Sequence, residues 1–85
     1  MQSFSEDSKK FLRKDLLKKN LSKREIEVVM LVLEGSTNRE VAHDLCVAEK
    51  TVKFHLTNVY KKLNISRRSQ IFWKLPLADF ISINE

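Results

Sequence analysis

Apolar residues recur along the chain with a helical period, and the pattern predicts helices and no strands. The clearest run covers 49–63. There Val52, Leu56, Val59 and Leu63 fall at i, i+4, i+7 and i+11, which is one face of a helix. Lys50, Lys53, Phe54, Thr57, Asn58 and Lys61 fall on the opposite side, with His55 and Tyr60 flanking the apolar stripe. Asn64 is placed to end this helix.

Two shorter helices are signalled upstream. Ser22-Lys23-Arg24-Glu25 reads as a capping box, Ile26 and Val28 to Leu33 supply the apolar body, and Gly35 is the expected stop. This segment is apolar on more than one face, so it needs cover on two sides. Thr37-Asn38-Arg39-Glu40 reads as a second capping box, followed by Val41, Ala42 and Leu45. Cys46-Val47-Ala48 then forms a tight turn, because the next periodic run starts in a new phase. A last helix over 67–75 is expected, with Ser66 as its cap and Pro76 as its limit. Its core residues are Ile71, Phe72 and Leu75, while Trp73 projects from nearly the opposite side, beside Ser69. The first 20 residues read as a basic helix or a linker: Ser5 caps, Glu6 and Asp7 suit a first turn, and Lys18 and Lys19 suit a last one. Phe11, Leu12 and Leu16 give it a partial stripe.

Composition narrows the class. Eighty-five residues make one small all-α domain. One Gly and one Pro are too few turn residues for a β-sandwich or barrel. A single cysteine, Cys46, rules out an internal disulfide and suits a cytoplasmic protein. No apolar run approaches the ~18 residues of a membrane span, and no secretory signal is visible. Sixteen Lys+Arg against eleven Asp+Glu give a net charge of +5, which points toward nucleic acid or another anionic surface.

The placement of that charge is more informative than its sum. Two short capped elements, a tight turn and a longer basic helix make a helix-turn-helix arrangement. A recognition helix must give one face to its own domain and the other to the major groove. The outward face needs cations for phosphates, short polar groups for base edges and an apolar group for a thymine methyl. The side of 49–63 that carries Lys50, Lys53, Phe54, Thr57, Asn58 and Lys61 meets that need. An aromatic ring within a charged face has no folding purpose unless it packs on a neighbour such as the N-terminal segment. The start of the Thr37 helix, with Arg39 in its first turn, suits a backbone phosphate.

Over residues 21–70 the chain resembles the LuxR-type (GerE-like) helix-turn-helix DNA-binding domain. The resemblance is carried by Leu21-Ser22-Lys23-Arg24-Glu25, by Gly35-Ser36-Thr37-Asn38-Arg39-Glu40-Val41-Ala42, and by Glu49-Lys50-Thr51-Val52-Lys53-Phe54-His55. It continues through Asn58-Val59-Tyr60-Lys61-Lys62-Leu63 to Arg68. It implies a four-helix domain over 21–75, with 1–20 as an N-terminal addition and 76–85 as a tail. It also implies a homodimer on double-stranded DNA and control of transcription in a bacterium. Lys53, Phe54, Thr57 and Asn58 are then the candidates for base contact. Thr37, Asn38, Arg39, Lys50, Thr51 and Lys61 are candidates for backbone contact, and Ser69 and Trp73 for the dimer interface. RNA polymerase or a regulatory domain is a further partner candidate. The chain begins at Met1 with no receiver or ligand-binding domain ahead of it, as in a stand-alone regulator or a piece of a longer one.

Three departures from the family pattern stand out. Ala48 replaces the usual Ser before the recognition helix, a lost cap of about 1 kcal/mol. Ile26, Met30 and Leu33 form a surplus apolar stripe at i, i+4 and i+7, to be covered by Phe11, Leu12 and Leu16 or by a partner chain. Pro76 shortens the last helix, which often makes the dimer contact. The stripe also supports a rival reading, an adaptor or antagonist that holds another regulator. Within nucleic-acid binding, the rival is the promoter-reading region of sigma factors. His43, Cys46 and His55 lack the spacing of a zinc site. Cys46 is expected to be a small buried hydrophobe and His55 to border the core with a hydrogen bond to the backbone. No phosphate loop, nucleophile elbow or carboxylate pair is present, so neither a cofactor nor an enzyme is expected.

Overall fold

The computed structural model describes residues 5–75. The order is α1 (Glu6–Lys18), α2 (Lys23–Leu33), α3 (Asn38–Leu45), α4 (Glu49–Leu63), a 3-10 turn (Arg68–Gln70) and α5 (Ile71–Lys74). Among the described residues there is no strand, and no helix is long and apolar enough to cross a membrane.

The capping signals act as the sequence predicts. Ser5 Oγ accepts the Ser8 amide hydrogen at 3.1 Å and starts α1, so the N-terminal segment is a helix. Both capping boxes close. Ser22 Oγ accepts from the Glu25 amide at 3.2 Å while Glu25 Oε1 accepts from the Ser22 amide at 2.8 Å. The Thr37–Glu40 pair repeats this at 3.1 and 2.8 Å.

The helix ends share one device. Asn20, Gly35, Cys46 and Asn64 all take positive φ, at 67°, 95°, 57° and 57°. In each case the next residue returns an amide to the last turn: Leu21 to Leu16, Ser36 to Leu31, Val47 to Ala42 and Ile65 to Tyr60, at 2.9–3.2 Å. These are Schellman closures. A chain with one glycine thus makes four sharp turns by using asparagine twice and cysteine once. Cys46 is the unexpected member: it sits at the left-handed corner and is exposed, not buried as anticipated.

Helix α2 occupies the centre. It packs against α1, α3, α4 and α5, which is why it needs apolar residues around so much of its circumference. Val28, Val29 and Val32 are buried on this helix together with the supposed surplus stripe, Ile26, Met30 and Leu33. Leu12 and Leu16 of α1 belong to the same core and are themselves fully buried. Phe11 does not join them and is 43% exposed, because one helical step of about 100° turns it off the Leu12–Leu16 line.

The C-terminal helix differs most from expectation. The helix anticipated over 67–75 resolves into the 3-10 turn and the four residues of α5. Ser66 is not its cap. Instead Gln70 Oε1 accepts from the Ser66 and Arg67 amides at 2.6 and 3.1 Å, which tightens the segment into a 3-10 turn. Leu75 is extended (φ −94°, ψ 150°), as a residue before proline prefers. Ile71 and Leu75, at i and i+4, reach the core. Phe72 sits one step off that line and is 43% exposed, contrary to its expected core role. The tail from 76 lies outside the described residues.

Candidate nucleic-acid interface

Helices α3 and α4 pack together through the Cys46-Val47-Ala48 corner. Val47 is half-buried and seats on the core, which fixes the corner. Val52, Leu56, Val59 and Leu63 bury the inner face of α4. Its outer face is therefore pointed away from the domain by packing, not by chance.

That face carries the residues the sequence singled out. Lys50, Lys53, Phe54, Thr57 and Lys61 are exposed, and Thr51 and Asn58 are half-buried on its edge. Among the described residues, Lys50, Lys53 and Lys61 form no ion pair, so their charge is available to a ligand. Phe54 is 63% exposed. Its ring neighbour among the described residues is His55, edge-on at 6.0 Å and 61°. His55 is half-buried and lies beside this ring. Thr57 Oγ1 donates to the Lys53 carbonyl at 3.0 Å. Its proton is thereby occupied, and it presents lone pairs and a methyl group outward.

Two features set the edges of the face. Helix α4 begins at Ala48 with no side-chain cap, so its first amides have no intrahelical acceptor and no hydroxyl stands in. At the start of α3, Thr37 Oγ1 accepts from Glu40, which leaves the hydroxyl proton to donate. The Thr37 amide holds the Glu40 carboxyl below the usual carboxylate range. Arg39 is exposed beside it and makes no ion pair among the described residues.

Two contacts were not legible as such. Lys62 Nζ meets Glu25 Oε1 at 2.7 Å, tying the last turn of α4 to the first turn of α2. The Arg68 guanidinium donates to Asn38 Oδ1 and to the Ser36 carbonyl. Lys62 and Arg68 stood out only as members of a motif, since their partners lie thirty or more positions away. Ser69 in the 3-10 turn and Trp73 in α5 are both exposed, Trp73 to 85%. Among the described residues, no three of His, Cys, Asp or Glu come together as a metal site would require.

A capped α3, a left-handed corner and an α4 with a free basic face define a helix-turn-helix protein. The family described as bacterial regulatory proteins, luxR family, matches residues 19–74, and the chain belongs to it. Helix α1 ends just before that match begins. The chain is 47% identical over 51 residues to the transcriptional regulatory protein LiaR of Bacillus subtilis, covering 60% of this chain and 24% of LiaR. It is 44% identical over 50 residues to the spore germination protein GerE of the same organism, covering 59% of this chain and 68% of GerE. It is also 44% identical over 50 residues to the transcriptional regulator MalT of Vibrio cholerae, of which only 6% is covered. The match thus spans about a quarter of LiaR and a small fraction of MalT. No solved structure matches the chain.

Proposed function

We propose that the chain is a sequence-specific regulator of transcription that binds double-stranded DNA, inserting α4 into the major groove. The observation that carries this reading is the outer face of α4: three lysines without an ion pair among the described residues, around an aromatic ring that is 63% exposed. Lys53, Phe54, Thr57 and Asn58 contact bases. Thr37, Asn38, Arg39, Lys50, Thr51 and Lys61 hold the phosphates on either side, which sets the register of the helix. The names of LiaR and MalT, both called transcriptional regulators, support the same reading.

One helix-turn-helix unit reads few base pairs, so the regulator binds as a homodimer on two half-sites. Trp73 and Ser69 make the symmetric contact. A ring 85% exposed on so small a domain is a favoured interface anchor. The DNA-binding unit is 21–75, with α1 as an added layer over α2. The adaptor reading has lost the free apolar face on which it rested, since Ile26, Met30 and Leu33 are buried in the core.

Selection of duplexes from a random pool tests the proposal. A regulator of this kind enriches a paired motif and loses affinity steeply as salt rises, through release of condensed counterions. Failure to retain any duplex at low salt contradicts it.

A further inference from the structure

Arg68 comes from the 3-10 turn after α4, yet its guanidinium reaches the corner between α2 and α3. One arm, Nη1, donates to Oδ1 of Asn38, and the other, Nη2, donates to the carbonyl of Ser36. The two acceptors flank Thr37, so a single planar group holds both sides of the point where α3 begins. The phenol of Tyr60 on α4 lies close enough to feel the same charge: burial pushes its pKa up, and Arg68 pulls it back. Arg68 is thus set between α4, the α2–α3 corner and the segment that leads to α5.

The chemistry of this contact fixes an orientation. A guanidinium only donates, so the side of the Asn38 amide that faces it must be the oxygen. The Nδ2 group, with two donors, is then turned away from Arg68. Asn38 is half-buried, which leaves that group a path to solvent. An ammonium in place of the guanidinium offers no rigid fork for two fixed acceptors.

We propose that Arg68 is a positioning residue for the DNA backbone contact: it orients the Asn38 amide so that Nδ2 donates to a phosphate, without touching the phosphate itself. This rests on the DNA-binding reading above. It adds a residue outside the two helices of the motif, and it ties the phosphate contact to the 3-10 turn that leads into α5.

The test uses the full chain and a fluorescently labelled random-sequence duplex, with affinity measured across a salt series. Asn38→Ala and Arg68→Met each weaken binding about ten- to a hundredfold, the size of one hydrogen bond to a charged group. The double variant is no weaker than the weaker single variant, since both remove the same contact. The salt slope stays at the wild-type value, because the lost donor is neutral. Arg68→Lys behaves like Arg68→Met. Additive losses overturn the proposal. So does a slope reduced by about one for Arg68→Met, which would make Arg68 itself a phosphate ligand. Wild-type affinity in Arg68→Lys overturns it as well. If circular dichroism shows Arg68→Met unfolded, Arg68→Lys and Asn38→Ala complete the same cycle. A wild-type chain that does not bind the duplex contradicts the DNA-binding reading itself, a result distinct from any of these.

Discussion

The ammonium of Lys62 lies 2.7 Å from Oε1 of Glu25, the same oxygen that accepts the Ser22 amide at 2.8 Å. One carboxylate therefore caps α2 and anchors the far end of α4. Glu25 is buried while Lys62 is partly open to solvent. Burial alone pushes the carboxyl pKa up; the hydrogen bonds from Lys62 and Ser22, with the lysine charge, outweigh it and hold the group below its ordinary 4.5. Removing either partner strips a buried carboxylate of part of its compensation.

Acid stability follows from this pair. A folded-state pKa below the unfolded value contributes stability that is fully present above 4.5 and is lost as pH falls through the folded value. The melting temperature of the wild-type chain falls across that interval. In Glu25→Gln the fall is shallower, not abolished, because Glu40 is shifted in the same direction. Lys62→Met lowers stability by about 1–3 kcal/mol at neutral pH. Thermal melts followed by circular dichroism from neutral to acid pH check both.

The corner residue Cys46 gives a second prediction. A non-glycine residue at φ 57° carries a cost of roughly 1–2 kcal/mol, part of which glycine gives back through its freer unfolded chain. Cys46→Gly therefore raises stability by about 0.5–1 kcal/mol in denaturant melts. Cys46→Val lowers it, since a β-branched side chain tolerates this region least.

Much of the fold is written in short-range signals. The Ser22 and Thr37 boxes, the Val52–Leu63 stripe and the stop at Gly35 are local, so periodicity and capping residues reveal them. The outward face of α4 follows directly from that stripe. What the sequence does not display is pairing over distance. Ile26, Met30 and Leu33 look surplus until α2 is seen at the centre of the core, packed by α1, α3, α4 and α5. Phe72 looks like core until the helix shrinks to four residues under the grip of Gln70. Cys46 passes for a buried hydrophobe because nothing local marks a cysteine for a left-handed corner.

Ala48 offers the simplest gain. Helix α4 starts there without a side-chain acceptor. Ala48→Ser supplies one and stabilises the domain by about 1 kcal/mol. The same hydroxyl stands beside the proposed phosphate path, so DNA affinity rises as well. Denaturant melts and anisotropy titrations on one preparation separate the two effects.

Helix α1 is part of the core it covers. Deleting residues 1–19 exposes Ile26, Met30 and Leu33 and removes the burial of Leu12 and Leu16. The expected outcome is a lower melting temperature with self-association at high concentration. Sedimentation velocity and a thermal melt check it; unchanged behaviour in both shows that α1 contributes nothing to the core.

The central claim is that the outer face of α4 reads bases, and Lys53 tests it most directly. Affinity of Lys53→Ala is measured against the duplex that wild type selects and against a random duplex at the same salt. The account predicts a loss of about 1–3 kcal/mol on the selected duplex, a much smaller loss on the random one, and relaxed preference at one base position. Equal losses on both duplexes would contradict it and leave Lys53 as a cation on the phosphate backbone.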